Sequence, residues 1–114
     1  MIELAVTGSI DAMLASLRAV LLGDVLSETS RMQLAEWLRA CETGAEKLRA
    51  GLPAGWVVGD KTGSGSQGES NDVAIVWPPG RAPIIVSAYY THSDASDDER
   101  NAILAAVGQL AAAV

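Results

Sequence analysis

The hydrophobic pattern of this chain changes its period at Pro53, and this change constrains the fold more than any other feature. Before Pro53, apolar residues recur at the spacing of three and four residues that one face of a helix requires. After it, short runs rich in β-branched residues are separated by turn residues. Helices followed by strands indicate the α+β class, of the α/β sandwich type. Because 114 residues supply only one hydrophobic core, we expect residues 1–114 to form one domain or one piece of a larger one.

Residues 10–50 are predicted to form a helical hairpin. The first helix covers residues 10–22 and the second residues 27–42, with a glycine stop after each. A short turn of helix over residues 45–50 ends before a proline that forbids its continuation. The predicted buried stripes of the two long helices are Ile10, Met13, Leu14, Leu17, Val20 and Leu21, and Leu34, Trp37, Leu38 and Cys41.

Residues 56–114 are predicted to form a three-stranded antiparallel meander with a closing helix on it. The strands are expected at residues 56–62, 72–77 and 82–91, joined by short turns rich in Gly, Ser and Pro. The apolar run Ile84-Ile85-Val86 predicts that the third strand is covered on both faces. The closing helix, with Ile103, Leu104, Val107, Leu110 and Ala111 as its stripe, supplies one cover. The other is either the helical hairpin or an element outside this chain.

Composition excludes several classes of function. Fourteen acidic against eight basic residues give a net charge of −6, which disfavours nucleic acid and anionic membranes as partners. A single Cys41 and a single His92 supply neither an internal disulfide nor a zinc site, so no cofactor is expected. No apolar run is long enough to span a membrane, and Glu3 stands where a secretory signal carries Lys or Arg, so neither feature is predicted in the sequence as given.

Four short motifs invite functional readings that their context weakens. Residues 63–68 match G-x-G-x-x-G, but a strand follows where a dinucleotide site needs a helix. Residues 55–62 approach a P-loop, but Asp60 replaces its second glycine. His92 beside a loop is better explained as a surface residue than as part of a triad. The acids of Ser96-Asp97-Asp98-Glu99 are explained by a capping box rather than by a bound cation.

The tripeptide Lys61-Thr62-Gly63 has a stronger chemical rationale. A strand that runs into a Gly-rich turn presents an ammonium, a hydroxyl and a residue without Cβ in a row. We expect the next backbone N–H groups, at Ser64 and Gly65, to stay open to a ligand. Such a group of donors binds a carboxylate and polarises a carbonyl.

The residues around this tripeptide resemble one family. The string from Arg49 to Gly65 closely resembles the segment before and through the K-T-G box of class A serine β-lactamases. The resemblance extends in the same order over roughly residues 7–114. It implies that the chain is the C-terminal part of that family's domain, with the last two helices of its helical lobe, its third to fifth strands and its closing helix. The other matching segments are residues 12–18, 21–24, 30–38, 71–74, 77–83 and 98–101.

The resemblance also implies roles for the residues of this strand. Lys61 supplies positive potential and helps to bind the substrate carboxylate, and the Thr62 hydroxyl donates a hydrogen bond to it. Gly63 keeps the strand edge free of a side chain, and the backbone N–H of Ser64 belongs to the oxyanion hole. Gly65 completes the predicted substrate-binding set.

Other parts of the family's site are absent from this sequence. No serine stands three residues before Lys47 or Lys61, so the nucleophile of the S-x-x-K box is missing, as are the S-D-N box and the general-base Glu. Where many members place an arginine that reaches the substrate carboxylate, this chain has Ser70 or Asn101. The resemblance therefore implies that carboxylate binding rests on Lys61 and Thr62, and that the chain alone is inactive.

Three hypotheses follow. In the first, the chain is part of a periplasmic or secreted serine β-lactamase, and a β-lactam is hydrolysed through an acyl-enzyme when the N-terminal part supplies the serine. In the second, it is a noncatalytic relic or binding module, and in the third a fragment of a penicillin-binding peptidase. With the edge of the strand at 56–62 and the inner helix faces uncovered, we also expect self-association or dependence on a complementing N-terminal fragment.

Overall fold

The first strand of the sheet lies at an edge, and this determines where a ligand has access. The structure, a computed structural model, describes residues 9–91 and 94–114. In this part of the chain, the sheet has the order β1-β2-β3 and both pairs are antiparallel. The meander and the α+β class are therefore confirmed. The elements are α1 (Ile10–Leu21), α2 (Glu28–Arg39), α3 (Leu48–Gly51), β1 (Val57–Ser64), β2 (Ser70–Trp77), β3 (Ile84–Tyr90) and α4 (Asp97–Ala112).

The hairpin between β1 and β2 is longer than predicted. Gly63 pairs with Asn71 and Ser64 with Ser70, so β1 continues through two residues that the sequence pattern places in the turn. The turn itself is closed by a bond of 3.2 Å from the Gly65 amide to the carbonyl of Glu69. The extended pairing keeps the K-T-G segment in regular strand geometry up to its last residue.

One face of the sheet carries the main core. Its buried members come from α3, α4 and all three strands, and they are Leu48, Val58, Ala74, Val76, Ala88 and Leu104. Helices α3 and α4 approach each other closely because a glycine on each helix faces the backbone of the other helix. A Cβ on Gly51 would stand 1.8 Å from the carbonyl oxygen of Ala105, and one on Gly108 would stand 2.3 Å from that of Leu48. No larger residue fits at this contact without a shift of backbone.

This close contact also corrects the predicted stripe of the closing helix. Leu104 and Gly108 are buried, whereas Ile103 is 45% and Leu110 72% exposed. The side of the helix that faces α3 is the one that carries Gly108, because this glycine lets the two backbones meet. That side is rotated away from the predicted hydrophobic stripe. The helix begins with the expected capping box, in which Ser96 and Glu99 bond each other's backbone.

The opposite face is covered by α1 and α2. Of the two predicted alternatives, the helical hairpin is therefore the element that covers it. A Cβ on Gly59 would lie 3.0 Å from the Cβ of Leu38, so this glycine lets α2 approach β1. The cover is incomplete, because a cavity of about 340 Å³ remains between the helices and the sheet. Its wall is mainly apolar and includes Met13, Leu17, Leu34, Leu38, Val73 and Ile75.

Trp37 does not belong to the buried stripe of α2, contrary to the prediction. Its side chain is 67% exposed, and Met32 on the same helix is 65% exposed. The helix instead turns Leu34 and Leu38 toward the sheet, which leaves part of its apolar surface outside. Among the helices of the described ranges, none has the length and apolar character to cross a bilayer.

Candidate functional site

Strand β1 presents the predicted residues along an open edge. Because side chains alternate along a strand, Thr62 lies on the face of Val58 and the main core, and Lys61 lies on the face covered by α1 and α2. The Lys61 ammonium turns back to donate to the carbonyl of Thr62 at 2.5 Å. A Cβ on Gly63 would meet only Asn71, at 4.0 Å. The space beside this glycine is therefore open.

The pairing pattern also fixes the direction of two backbone amides. Antiparallel pairs alternate between hydrogen-bonded and non-hydrogen-bonded positions. The Gly65 amide donates to the Glu69 carbonyl, so the neighbouring pair, Ser64 with Ser70, is a non-hydrogen-bonded one. It follows that the Ser64 N–H points away from β2 toward the open edge. The expectation that the Gly65 N–H is also open is wrong, because the turn uses it.

The Thr62 hydroxyl has a partner that the sequence did not indicate. Its Oγ1 lies 2.6 Å from Oγ1 of Thr43, which in turn lies 3.3 Å from Sγ of Cys41. Both partners belong to the loop after α2, because that helix ends at Arg39 rather than near residue 42. Cys41 is therefore a half-buried loop residue, not a helix residue as predicted. When Thr43 donates to Thr62, the Thr62 hydrogen is free for an acceptor on a ligand.

A second ammonium lies close to the end of β1. Nζ of Lys47 is 2.9 Å from Oγ of Ser70 and 3.0 Å from Oδ1 of Asn101. These are the two positions at which the sequence lacks the arginine of many class A members. No local sequence pattern indicates this group, because its three residues come from three separate parts of the chain.

Lys47 borders a polar pocket of about 460 Å³. The wall of the pocket includes Ser64 and Gly65 from the β1–β2 hairpin, together with Ser70 and Asn101. It is thus continuous with the C-terminal end of β1. Four acidic side chains also line it, so its field is mixed rather than uniformly positive.

Two fully buried carboxyl groups lie beneath the site. Asp60 forms an ion pair with Arg49, with 2.7 Å between Nε and Oδ1, and Asp72 accepts from the Leu48 amide at 3.1 Å. The remaining oxygens, Oδ2 of Asp60 and Oδ1 of Asp72, are buried, and no donor of another residue reaches them. A proton shared between them satisfies both groups.

Burial, a hydrogen bond to Asp60 and the charge on Asp60 together raise the pKa of Asp72 to about 8, and burial is the largest of these causes. Asp72 is therefore the group that keeps the proton at neutral pH, and Asp60 is the carboxylate that faces Arg49. The signal in the sequence was an acid at the second residue after the core residue Val58, on the same face of the strand. In the sequence alone, this acid is noticeable only as a mismatch to a P-loop.

This carboxyl pair connects the loop around Thr43 to the strand. A Cβ on Gly44 would stand 1.8 Å from Oδ2 of Asp60, so the loop passes directly over the pair. Arg49 also donates from Nη2 to the carbonyls of Leu38, at 3.1 Å, and Arg39, at 3.3 Å, at the end of α2. Together, Arg49 and the two carboxyl groups connect β1, α2 and α3 with the loop that carries Thr43.

The remaining motifs have structural positions that fit their simpler explanations. The G-x-G-x-x-G match lies at the end of β1 and in the hairpin turn, and it is followed by β2 rather than by a helix. Asp97, Asp98 and Glu99 lie in the first turn of α4, where Glu99 completes the capping box with Ser96 and Asp97 forms an ion pair with Arg100. His92, the proposed surface histidine, lies outside the described residues.

Comparisons with known proteins agree with this geometry. Residues 4–114 match the sequence model of the group described as the beta-lactamase enzyme family. The chain is 48% identical over 99 residues to beta-lactamase CTX-M-25 of Escherichia coli. This match covers 87% of this chain and 34% of that protein. It is 52% identical over 94 residues to beta-lactamase AST-1 of Nocardia asteroides, covering 82% of this chain and 30% of that one.

Solved structures give the same result. An ancestral (GNCA) class A beta-lactamase superimposes with a TM-score of 0.85 and 58% identity over 87% of this chain and 38% of its own. The class A beta-lactamase of the last common ancestor of Gram-negative bacteria (GNCA4) superimposes with a TM-score of 0.87 and 57% identity. The match covers 90% of this chain and 39% of that one. The chain spans about a third of the length of the curated relatives it matches.

Proposed function

This chain belongs to the beta-lactamase enzyme family, and we propose that it forms the substrate-binding edge of a class A serine enzyme that hydrolyses the β-lactam ring of penicillins and cephalosporins. The observation that supports this most is the open edge of β1. There the Lys61 ammonium, the Thr62 hydroxyl and the outward Ser64 N–H follow one another along one strand.

The chemistry assigns a role to each of these groups. Lys61 and Thr62 bind the carboxylate of the substrate, which orients the ring. The Ser64 N–H donates to the β-lactam carbonyl oxygen as negative charge develops on it. A serine from the rest of the protein attacks the carbonyl carbon, the C–N bond breaks and the nitrogen takes a proton. Water then hydrolyses the ester and releases the serine.

A noncatalytic binding module is the second candidate, and it is favoured by the lack of a nucleophile in this sequence. The two candidates differ in what happens when a nucleophile is supplied. A relic under no selection for catalysis is not expected to restore turnover, whereas a functional edge is.

The test is complementation. The chain is mixed or co-expressed with the N-terminal part of a class A relative such as CTX-M-25, and hydrolysis of nitrocefin is followed by absorbance. We expect no turnover from either part alone and sustained turnover from the assembled pair. Lys61→Ala should abolish most of it, whereas Arg18→Ala, an exposed change on α1, should not. An assembled pair without turnover would refute the catalytic proposal.

The location and the partners of the complete protein belong to the same proposal. Its resemblance to class A enzymes supports action in the periplasm or after secretion, where the β-lactam is met. The apolar cavity of about 340 Å³ under α1 and α2 supports a complementing N-terminal part as partner. Cell fractionation of the full-length protein tests the first point. Co-purification of the two parts tests the second.

A further inference from the structure

We propose that Asp60 and Asp72 are positioning residues for the Thr62 hydroxyl, and that they hold it in place only while they share a proton. This assignment rests on the function proposed above and concerns the same strand. Asp60 lies two residues before Thr62 on the same face of β1, and Asp72 is the residue of β2 that pairs with Thr62. The two buried carboxyl groups are therefore the neighbours of this hydroxyl along the strand and across it.

The loop after α2 connects the carboxyl pair to the Thr62 hydroxyl. Gly44 passes over the pair so closely that a Cβ there would stand 1.8 Å from Oδ2 of Asp60. Thr43, the preceding residue, places its Oγ1 2.6 Å from Oγ1 of Thr62. The carbonyl of Gly44 also accepts from the Lys47 amide at 3.1 Å, which ties the loop to the start of α3. A displacement of Gly44 away from the pair therefore moves Thr43 away from Thr62.

The charges around the pair balance one negative charge rather than two. Arg49 forms an ion pair with Asp60, with 2.7 Å between Nε and Oδ1, and its Nη2 already donates to two carbonyls at the end of α2. The charge of Lys47 also acts on Asp72, but its ammonium is bonded to neutral oxygens. Helix α4, which packs on the same face of the sheet, contributes the apolar Leu104 to it. In residues 9–91 and 94–114, a second negative charge on the pair has no ion-pair partner of its own.

Loss of the shared proton destabilises this arrangement. Burial and the neighbouring Asp60 raise the pKa of Asp72 to about 8, so the folded protein keeps the proton at neutral pH and releases it above pH 8. Two buried carboxylates then repel each other, and Oδ2 of Asp60 lies without a donor against Gly44. Movement of the loop admits water to this oxygen, but it also separates Thr43 from Thr62. Affinity for the ligand carboxylate therefore falls as the pH rises.

The test follows KM for nitrocefin in the assembled pair from pH 6 to pH 9.5, with circular dichroism to verify folding at each pH. In the wild type, KM should rise severalfold between pH 7 and pH 9 and then level off, because one hydrogen bond to the ligand is weakened. Asp72→Asn keeps an N–H donor to Asp60 and cannot titrate, so its KM should lack this rise. Thr43→Val has already lost the bond to Thr62, so its KM should begin at the plateau value and stay there. Asp24→Asn, an exposed change, should follow the wild type.

Titration of other groups affects all four proteins alike, so the differences between their pH profiles decide. Parallel profiles of the wild type and Asp72→Asn overturn the positioning role, while hydrolysis by the wild type still supports the function. A rise in Thr43→Val as large as that in the wild type also overturns it, and this comparison decides alone if Asp72→Asn does not fold.

A second measurement decides the proposal if the assembled pair has no turnover and the proposed function therefore fails. The ¹⁵N amide signals of Thr43 and Gly44 in that pair are followed from pH 7 to pH 9. They should move in the wild type and stay in place in Asp72→Asn, because only the wild type releases the shared proton. Signals that behave alike in the two proteins overturn the positioning role.

Discussion

Asp72→Asn tests whether the buried carboxyl pair beneath the site holds a proton at neutral pH. In the wild type, burial and the neighbouring Asp60 raise the pKa of Asp72 from 3.8 to about 8, whereas the unfolded chain titrates near the lower value. Between about pH 4 and pH 8, the unfolded state has lost a proton that the folded state keeps. Because the folded pKa is the higher one, this contribution to stability is complete below pH 4 and is lost as the pH rises.

The size of the effect follows from proton linkage. The free energy of unfolding should fall by at most about 1.4 kcal/mol for each pH unit in this window and should level off above pH 8. An asparagine cannot titrate, yet its carbonyl oxygen still accepts from the Leu48 amide and its N–H donates to Asp60. The variant should thus match the wild type near pH 4 and be the more stable protein by a few kcal/mol at pH 8.

Urea unfolding followed by tryptophan fluorescence at pH 5, 6, 7 and 8 measures this difference. Asp24→Asn is the matched control, because Asp24 is exposed in the loop between α1 and α2, and its variant should follow the wild type at every pH. The reasoning is refuted if the gap between Asp72→Asn and wild type does not grow with pH. It is also refuted if the variant is strongly destabilised at all four values, since that would identify Asp72 as a carboxylate.

Three further predictions concern the supports of the site and the exposed apolar surface. Thr43→Val removes the partner of the Thr62 hydroxyl and should raise KM of the assembled pair for nitrocefin severalfold, with Thr43→Ser restoring it; equal kinetics in both variants would contradict this. Gly108→Val places a Cβ against the Leu48 carbonyl and should cost about 2–3 kcal/mol in urea unfolding, so an unchanged midpoint would count against the close helix contact. The chain alone should bind the dye ANS at its apolar cavity, and the N-terminal part should displace it; strong dye fluorescence that persists in the assembled pair would argue against that occupant.

The sequence was sufficient for the order of the elements and for the strand of the site. Helical periodicity and turn residues act locally, so the hairpin of helices and the meander could be predicted. Lys61 to Ser64 could also be proposed as site residues from the sequence, because they are consecutive and their flanks are distinctive. The errors at Trp37 and Leu110 have one cause. The side of each helix that is buried depends on where its backbone closely approaches a neighbour, as at Gly59 and Gly108, and not on hydrophobicity alone.

The rest of the site depends on contacts between distant parts of the chain. Lys47 meets Ser70 and Asn101 across 23 and 54 residues, and no local pattern encodes such a meeting. The proximity of Asp60 and Asp72 likewise depends on the register of β1 with β2. A shift of this register by two residues would keep the same side chains on each face, so the sequence pattern does not determine it. The strand of the candidate site was therefore visible in the sequence, whereas the groups that support it were not.

The central claim is that the open edge of β1 receives the ligand through the Ser64 amide. The most direct measurement is a ¹H–¹⁵N spectrum of the assembled pair, recorded with and without the slowly hydrolysed β-lactam cefoxitin. We predict that the Ser64 amide signal moves and gains protection from hydrogen exchange, while the Gly65 amide, already bonded to Glu69, changes little. A Ser64 signal that cefoxitin leaves unmoved while it acylates the protein would contradict the account.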